Sequence, residues 1–339
     1  GGPLDLGPRQ ALSMLPWVHR FARAAFSRAE NTRHLAPLIR SSATVWARWL
    51  GAIGRSELLC RHGHYEVSLR PDAEARMQAQ AQAMAKVDVN TRAVPREELG
   101  PLACAAGAET AAALWFPDSG HIIDPLEAVR ALAEAAIDRG AEFRRLGVRG
   151  LAVRGSAVEI AGEHGAFAVD AVVICAGMGS RPLLESLGAS LPLQAARGYH
   201  IEVPNHPAFF DAPVVYADAH TVVTPMSGRL RASSFMEFRA ASAPADPAKV
   251  ARLRRDLRRL GYACEPEGPA WVGARPVLPD YLPALGRLRG PAPIFYATGH
   301  QHVGLTLAPI TGELISDLVA ERSPRMPIAA FDLARFNGF

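Results

Sequence analysis

The sequence predicts an α/β protein in which a parallel-strand unit is interrupted by a broad, mostly antiparallel sheet. Three observations predict it. The run FAVDAVVICAG ends in residues apolar on both faces, as in a central parallel strand covered by helices, and turns directly into the helix-like MGSRPLLESLGA. From Leu191 to Phe238 the segments LPLQAARGYHIEVP, APVVYADAHTVVTPM and RLRASSFMEFR read as strands with little helix between them. The chain then returns through AWVGARPVLPDYLPALG to APIFYATG, a second strand that feeds a helix.

The elements come in this order. The first 55 residues read as helices broken by Pro8, Pro16 and Pro37, and TVWARWLGAIG repeats apolar residues at helical spacing. GHYEVSLR reads as a strand from Gly63 to Arg70, and DAEARMQAQAQAMAK as a helix starting just after Pro71. RAVPREELGPLA gives a turn and a short helix, and AALWFPDSGHIIDP is aromatic and turn-rich. PLEAVRALAEAAIDRGA is a helix that Asp124 can cap and Gly140 can end. EFRRLGVRGLAVRG and AVEIAG read as short strands, and PADPAKVARLRRDLRRLG as one helix with Leu253, Leu257 and Leu260 facing inward. Residues 1–55, 110–190 and 291–339 are thereby assigned to one unit, and 56–109 and 191–290 to the other. Ligands tend to bind where such units meet, beyond the carboxyl ends of the strands.

A chain of 339 residues that is 49% hydrophobic and 21% charged can bury the core of two packed units. The net charge of +4 implies no nucleic-acid partner, because acidic residues are mixed throughout and no Lys/Arg block stands beside aromatic runs. The dense basic stretch ARLRRDLRRLG reads as the solvated face of a helix. Cys60, Cys104, Cys175 and Cys264 form no CxxC or metal spacing, and Cys175 reads as a buried small residue in a strand. No apolar run is long enough to span a bilayer. The chain is placed in the cytoplasm, with peripheral attachment to the inner face of the cell membrane left open.

The candidate sites concentrate in IFYATGHQHVGLTLAPITGELISDLVA, Ile294 to Ala320. His300 and His302 are two apart, but no HExxH and no cysteine spacing accompanies them, so no metal site is assigned. A covalent nucleophile is equally unsupported: there is no GxSxG, and Ser119, Ser180 and Ser227 sit beside glycines as turn residues do. A cofactor surface fits better. Residues 307, 310, 314, 315 and 318 give one inward helix face, the helix start presents free N–H groups, and Gly299 and Gly304 allow close approach. Arg275, beside Pro276, suits a bidentate grip on a carboxylate and equally a structural salt bridge. In ARGYHIEVP, Arg197 and Tyr199 share a strand face, which suits a substrate pocket or an ordinary exposed surface.

Taken together, VVICAGMGSRPLLESLG…LPLQAARGYH, WVGARPVLPDYLPALG and ATGHQHVGLTLAPITGELISDLV resemble the FAD-dependent D-amino-acid dehydrogenase and oxidase family of the glycine oxidase and sarcosine oxidase superfamily. TPMSGRLRASSFMEF is similar to that family's glycine-rich turn and the strand after it. The resemblance implies a Rossmann-like FAD-binding domain, incomplete at its amino terminus, interleaved with an α+β substrate domain on a large, mostly antiparallel sheet. It implies FAD contacts from Gly299, His300, His302, Val303, Gly304, Leu305 and Thr306 along the flavin. Ala176 and Gly177 would lie near the adenosine and pyrophosphate, and the Val148 backbone at the adenine. Arg275, Tyr199 and His300 are the implied catalytic group, with Arg275 on the substrate carboxylate. The implied reaction is oxidative deamination of a small D-amino acid or cyclic imino acid, with hydride passing from Cα to flavin N5. The imine then hydrolyses to a 2-oxo acid or is retained as a cyclic imine. The implied electron acceptor is a quinone, an electron-transfer partner or oxygen. D-hydroxyproline dehydrogenase and a non-catalytic subunit of a larger flavin oxidoreductase are the alternatives.

One departure stands out. The family opens with a strand and a GxGxxG turn, and this sequence contains no such motif. GGPLDLGP resembles the stretch just after that family's first βαβ unit. The expectation is a chain lacking the amino-terminal FAD segment, with a partner chain carrying the motif among the ways to supply it.

Overall fold

The computed structural model describes residues 4–6, 14–99, 102, 111–204, 210–262 and 268–336. The first part of the chain supplies β1 (Leu4–Leu6), α1 (Leu15–Ala24), α2 (Arg28–Ala52), β2 (Leu59–Cys60), β3 (His64–Ser68), α3 (Ala73–Ala85), β4 (Arg92–Ala93), β5 (Ala112–Phe116), β6 (His121–Ile122) and α4 (Pro125–Ile137). The middle supplies β7 (Gly150–Arg154), β8 (Ala157–Gly162), β9 (Gly165–Val169), β10 (Val172–Ile174), α5 (Ser180–Glu185), β11 (Gln194–Pro204), β12 (Val214–Tyr216), β13 (Thr221–Met226) and β14 (Arg229–Phe238). Last come α6 (Pro247–Arg259), β15 (Ala270–Val277), β16 (Ala284–Arg287), β17 (Ile294–Thr298) and α7 (Gly304–Val319).

The large sheet runs β15-β11-β14-β13-β12-β3-β5-β4, and β1 adds to it in parallel with the end of β14. All its other pairs are antiparallel except β12 with β3. One face is covered by α6, which Asp246 caps through its Oδ1 and the Ala248 N–H. Leu253 and Leu257 of α6 are fully buried in a core with Tyr199, Ile201, Val203, Tyr216 and Val223, while Arg255, Arg258 and Arg259 are exposed and Arg252 packs over the Phe235 ring.

The second sheet is β10-β17-β16, parallel between β10 and β17. Every residue of β17 is buried. On one side α7 and α2 pack over it through Leu307, Ile310 and Leu314 against Leu38, Val45 and Phe295. On the other, Leu151, Val158, Ile174, Leu184 and Tyr296 close a separate core, to which the antiparallel β7-β8-β9 ribbon contributes.

Several expectations need correction. Pro37 does not break a helix: α2 runs through it for 25 residues. Burial of Leu38, Val45, Trp46 and Leu50, at about 1.5–3 kcal/mol each, outweighs the roughly 3 kcal/mol cost of an interior proline. Pro16 opens α1 rather than interrupting it; Pro8, Cys104 and Cys264 lie outside the described residues. Residues 141–149 form no strand. β5, assigned by sequence to the α/β unit, pairs with β3 in the large sheet, and β16, assigned to the large-sheet unit, pairs with β17. β10 is not central. It is an edge strand among the described residues, and its second face is uncovered, with Val173 and Cys175 exposed. No helix of the described residues is long and apolar enough to cross a membrane.

Candidate functional site

The segment between β17 and α7 is where the two sheets are joined. Gly299 comes directly after β17 with φ +75°, a conformation that favours glycine, and a Cβ there would overlap the Leu278 side chain. His300 then forms a bridge with Val277, and the Gln301 N–H donates to the Pro276 carbonyl at 3.1 Å. The loop is therefore stitched to the end of β15, the strand that carries Arg275. On its other side, Thr298 Oγ1 donates to the Gly177 carbonyl at 3.2 Å, which ties in the turn after β10. Gly177 itself has φ +55°, and a Cβ on it would project into open space.

Helix α7 begins at Gly304 without a side-chain cap. Leu307 N–H makes the first intrahelical bond, to Val303, and the N–H groups of Gly304, Leu305 and Thr306 have no acceptor among the described residues. A Cβ at Gly304 would meet only the His300 Cβ, at 3.5 Å, so that glycine leaves the helix start open rather than resolving a clash. Trp46 Nε1 donates to the Leu305 carbonyl at 2.9 Å and fixes the first turn against α2.

This helix start walls a cavity of about 810 Å³. His302, Val303, Leu305 and Thr306 form one side, Ile39, Ser42 and Trp46 of α2 a second, and Thr224, Met226, Arg231 and Ser233 of the large sheet a third. Positions 224 and 226, and 231 and 233, show the two-residue period of a strand face, the signal by which the sequence could have revealed them. His64, stacked on Phe116 with centroids 4.4 Å apart, closes the far end and hydrogen-bonds Ser119 Oγ at 2.6 Å. The Ser119 hydroxyl is also 3.1 Å from the Phe116 carbonyl, which takes its single proton and leaves His64 Nδ1–H to donate to it.

Arg275 does not itself line that cavity; it lies across β11 at Gly198, where the ladder with β14 shifts register. A Cβ at Gly198 would overlap its guanidinium, and Nη1 donates to the Phe235 carbonyl at 3.2 Å. No carboxylate is within ion-pair distance of it among the described residues, and burial lowers its pKa from the usual arginine range. His302, on the cavity wall, has its pKa lowered by burial and by the nearby Arg275 charge. The arrangement sets a half-buried guanidinium beside a neutral imidazole and a helix N-terminus.

Other expected residues fall elsewhere. His300 turns into the helix: its Nε2 pairs with Thr311 Oγ1 at 3.1 Å, it does not line the cavity, and burial pushes its pKa down to about 4. Tyr199 is buried at 2% exposure inside an ion-pair cluster, its hydroxyl 2.8 Å from Glu237 Oε2, 3.0 Å from an Arg197 nitrogen and 3.1 Å from Asp246 N. Those partners use its hydroxyl completely, so the geometry withdraws Tyr199 from the substrate side. Val148 is exposed just before β7 and does not line the cavity.

The neutral His300 has a pH consequence. Its folded pKa near 4 lies below the unfolded value of about 6.5, so the unfolded chain binds the proton first as pH falls. Stability is expected to decline from about pH 6.5 towards pH 4, by roughly 1 kcal/mol per pH unit. Melting temperatures measured over that range should slope less steeply in His300→Gln; identical slopes would remove His300 from the effect.

A family model described as FAD dependent oxidoreductase, DAO, matches residues 15–318. The chain belongs to this FAD-dependent oxidoreductase family. Similar relatives include the D-amino-acid oxidase of Bradyrhizobium diazoefficiens, 35% identical over 225 residues that make up 65% of this chain and 53% of that protein. The D-amino acid dehydrogenase of Paramagnetospirillum magneticum is 32% identical over 253 residues, 70% of this chain and 58% of its own length. These first relatives are thus matched over little more than half their length. The D-amino acid dehydrogenase 2 of Ralstonia nicotianae is 29% identical, with 98% of this chain and 83% of that protein covered. Among solved structures, the glycine oxidase from Geobacillus kaustophilus has a TM-score of 0.78 at 22% identity, covering 89% of this chain and 83% of that one. The L-proline dehydrogenase from P. horikoshii has a TM-score of 0.75 at 18% identity, covering 88% and 82%. Both share the fold. The flavoprotein family's cofactor suits what the site offers: free N–H groups at the start of α7, largely apolar cavity walls and, outside that cavity, an open glycine at position 177.

Proposed function

We propose that the chain carries the substrate pocket and the flavin-facing wall of an FAD-dependent enzyme that oxidises the Cα–N bond of a small D-amino acid or cyclic imino acid. The observation that carries this reading is Arg275, a half-buried guanidinium without a carboxylate partner among the described residues, fixed beside the uncapped start of α7. Arg275 binds and orients the substrate carboxylate. His302 stays neutral and leaves Arg275 as the cation that meets it. The walls from α2, β13 and β14 limit water around the Cα. When bound, FAD supplies the two-electron acceptor, and the N–H groups of Gly304, Leu305 and Thr306, with His302, Val303 and the Gly299 turn, would hold its electron-rich end. Ala176 and Gly177 would hold its other end. The imine product hydrolyses to a 2-oxo acid, or persists when cyclic. Electrons leave to a quinone, an electron-transfer partner or oxygen, in the cytoplasm or at the inner face of the cell membrane.

The uncovered edge of β10 belongs to the same reading. Its backbone edge is unpaired among the described residues, which suits pairing with a further strand, and its apolar Val173 stands 41% exposed on a face that a further element could cover. We assign that place to a strand and glycine-rich turn for the FAD pyrophosphate, on this polypeptide or on a partner chain. The test is the visible spectrum of the purified chain, alone and with a glycine-rich βαβ fragment, and then addition of D-amino acids, glycine, sarcosine and D-hydroxyproline without oxygen. Flavin absorbance that bleaches with one of these substrates is expected. A folded chain that stays colourless in both arms would overturn the assignment.

A further inference from the structure

We propose that α1 and the turn after it dock the protein onto an anionic lipid surface, which deepens the peripheral attachment included in the proposed function. Leu15, Val18, Ala22 and Ala25 recur at helical spacing on one stripe of this amphipathic segment, and all four are exposed. Phe26 ends the stripe at 94% exposure, an extreme value for a phenylalanine. The opposite side is anchored: Trp17 is buried against Phe238 and stacks on Phe21 with centroids 5.4 Å apart. The helix is therefore held rigidly with its apolar stripe outward.

The charge along the segment selects the occupant. From Met14 to Ala29 there is no acidic residue, whereas His19, Arg23 and Arg28 flank the stripe, and the half-buried Arg20 lies on the opposite side of the helix. A protein-facing apolar patch needs no such one-sided charge. A helix lying in the headgroup plane does, with apolar side chains entering the acyl boundary and arginines at the phosphates. Behind the stripe, Phe21, Ala24, Leu35, Tyr281 and Leu282 wall an apolar groove of about 440 Å³, which continues the surface inward. The groove and the cavity beside α7 share α2: Leu35 lines the first and Ile39 the second, one helical turn apart. A docked protein would thus hold its redox site within a short distance of the lipid.

The experiment is co-sedimentation of the full chain with vesicles of neutral phosphatidylcholine and of phosphatidylcholine with phosphatidylglycerol. Binding to the anionic vesicles only is expected, falling as salt rises. Val18→Glu with Phe26→Glu should weaken partitioning by about tenfold or more, and Arg28→Gln by about fivefold. These exposed changes should leave the melting temperature and turnover with a soluble dye acceptor unchanged. Wild-type protein that ignores anionic vesicles, or variants that bind as wild type does, would overturn the proposal. So would size-exclusion chromatography showing a dimer that Phe26→Glu dissolves, since a second copy would then cover the stripe. Dye-linked turnover reports the amino-acid reading separately, so failure of one is distinguishable from failure of the other.

Discussion

Arg275→Ala is expected to lower kcat/KM for the amino-acid substrate by about 10²–10⁴-fold, mostly through KM, with flavin content and melting temperature near those of the unaltered protein. Removing one partner of a desolvated, charge-assisted pair costs roughly 3–5 kcal/mol, and each 1.36 kcal/mol is tenfold in rate. Stability should change little, because the guanidinium makes one hydrogen bond to a carbonyl and no ion pair with another described residue. Arg275→Lys should recover only part of the loss, since an ammonium cannot reproduce the two-point grip of a guanidinium. Steady-state kinetics over a series of amines with and without a carboxylate decide the matter. The carboxylate-free amines should be indifferent to the substitution. An Arg275→Ala protein with ordinary KM and turnover would remove the carboxylate from this position.

The second large effect concerns stability. Arg197 and Glu237 are both fully buried and pair at 3.0 Å. Lys249 Nζ reaches the other Glu237 oxygen at 3.1 Å, and Arg197 also donates to the carbonyls of Ala240, Ala243 and Pro244. Glu237→Ala would leave the buried Arg197 without its carboxylate, while Lys249 keeps Asp246 at 3.1 Å, and is expected to cost about 3–5 kcal/mol, read by chemical denaturation. Tyr199→Phe, which removes one hydroxyl from the same cluster, should cost about 1–2 kcal/mol and leave KM unchanged. A Glu237→Ala protein as stable as the parent would show that the cluster does not hold β11 to β14.

These two predictions also mark the limits of sequence reading. Local rules worked where one element decides the outcome. Asp124 caps α4 by accepting from Leu126 and Glu127 N–H at 3.1 Å, as its position before a proline-led helix indicates. The inward stripes of α6 and α7 obey their leucine spacing, with Leu253, Leu257, Leu307 and Leu314 all fully buried. Arg275 stood open between a ligand grip and a salt bridge, and Tyr199 between a pocket wall and a surface. Their outcomes depend on partners 38 to 47 residues away in sequence, such as Glu237 and Asp246 for Tyr199. Period and propensity carry no information about such distant pairings. The same limit hid His64, Ser119 and Arg231, which meet at one cavity only because β3 and β14 share a sheet. The edge position of β10 was illegible for another reason: two apolar faces mark a strand meant to be covered, not which neighbour covers it.

The stitch between β15 and the β17–α7 loop constrains how this protein can diversify. The bridge of Val277 to His300 and the bond from Gln301 to Pro276 make the strand bearing Arg275 and the helix start one mechanical piece. A substitution that shifts either of them displaces both. Thr224, Met226 and Ser233 enter the cavity from the β13–β14 hairpin, whose turn is held by the His121 ring nitrogen 3.0 Å from the Pro225 carbonyl and by the Ser227 N–H donating to the Ile123 carbonyl at 3.0 Å. A mutagenesis library aimed at new substrates is therefore best spent on the cavity-facing side chains at 224, 226 and 233, whose exchange leaves the piece bearing Arg275 in place.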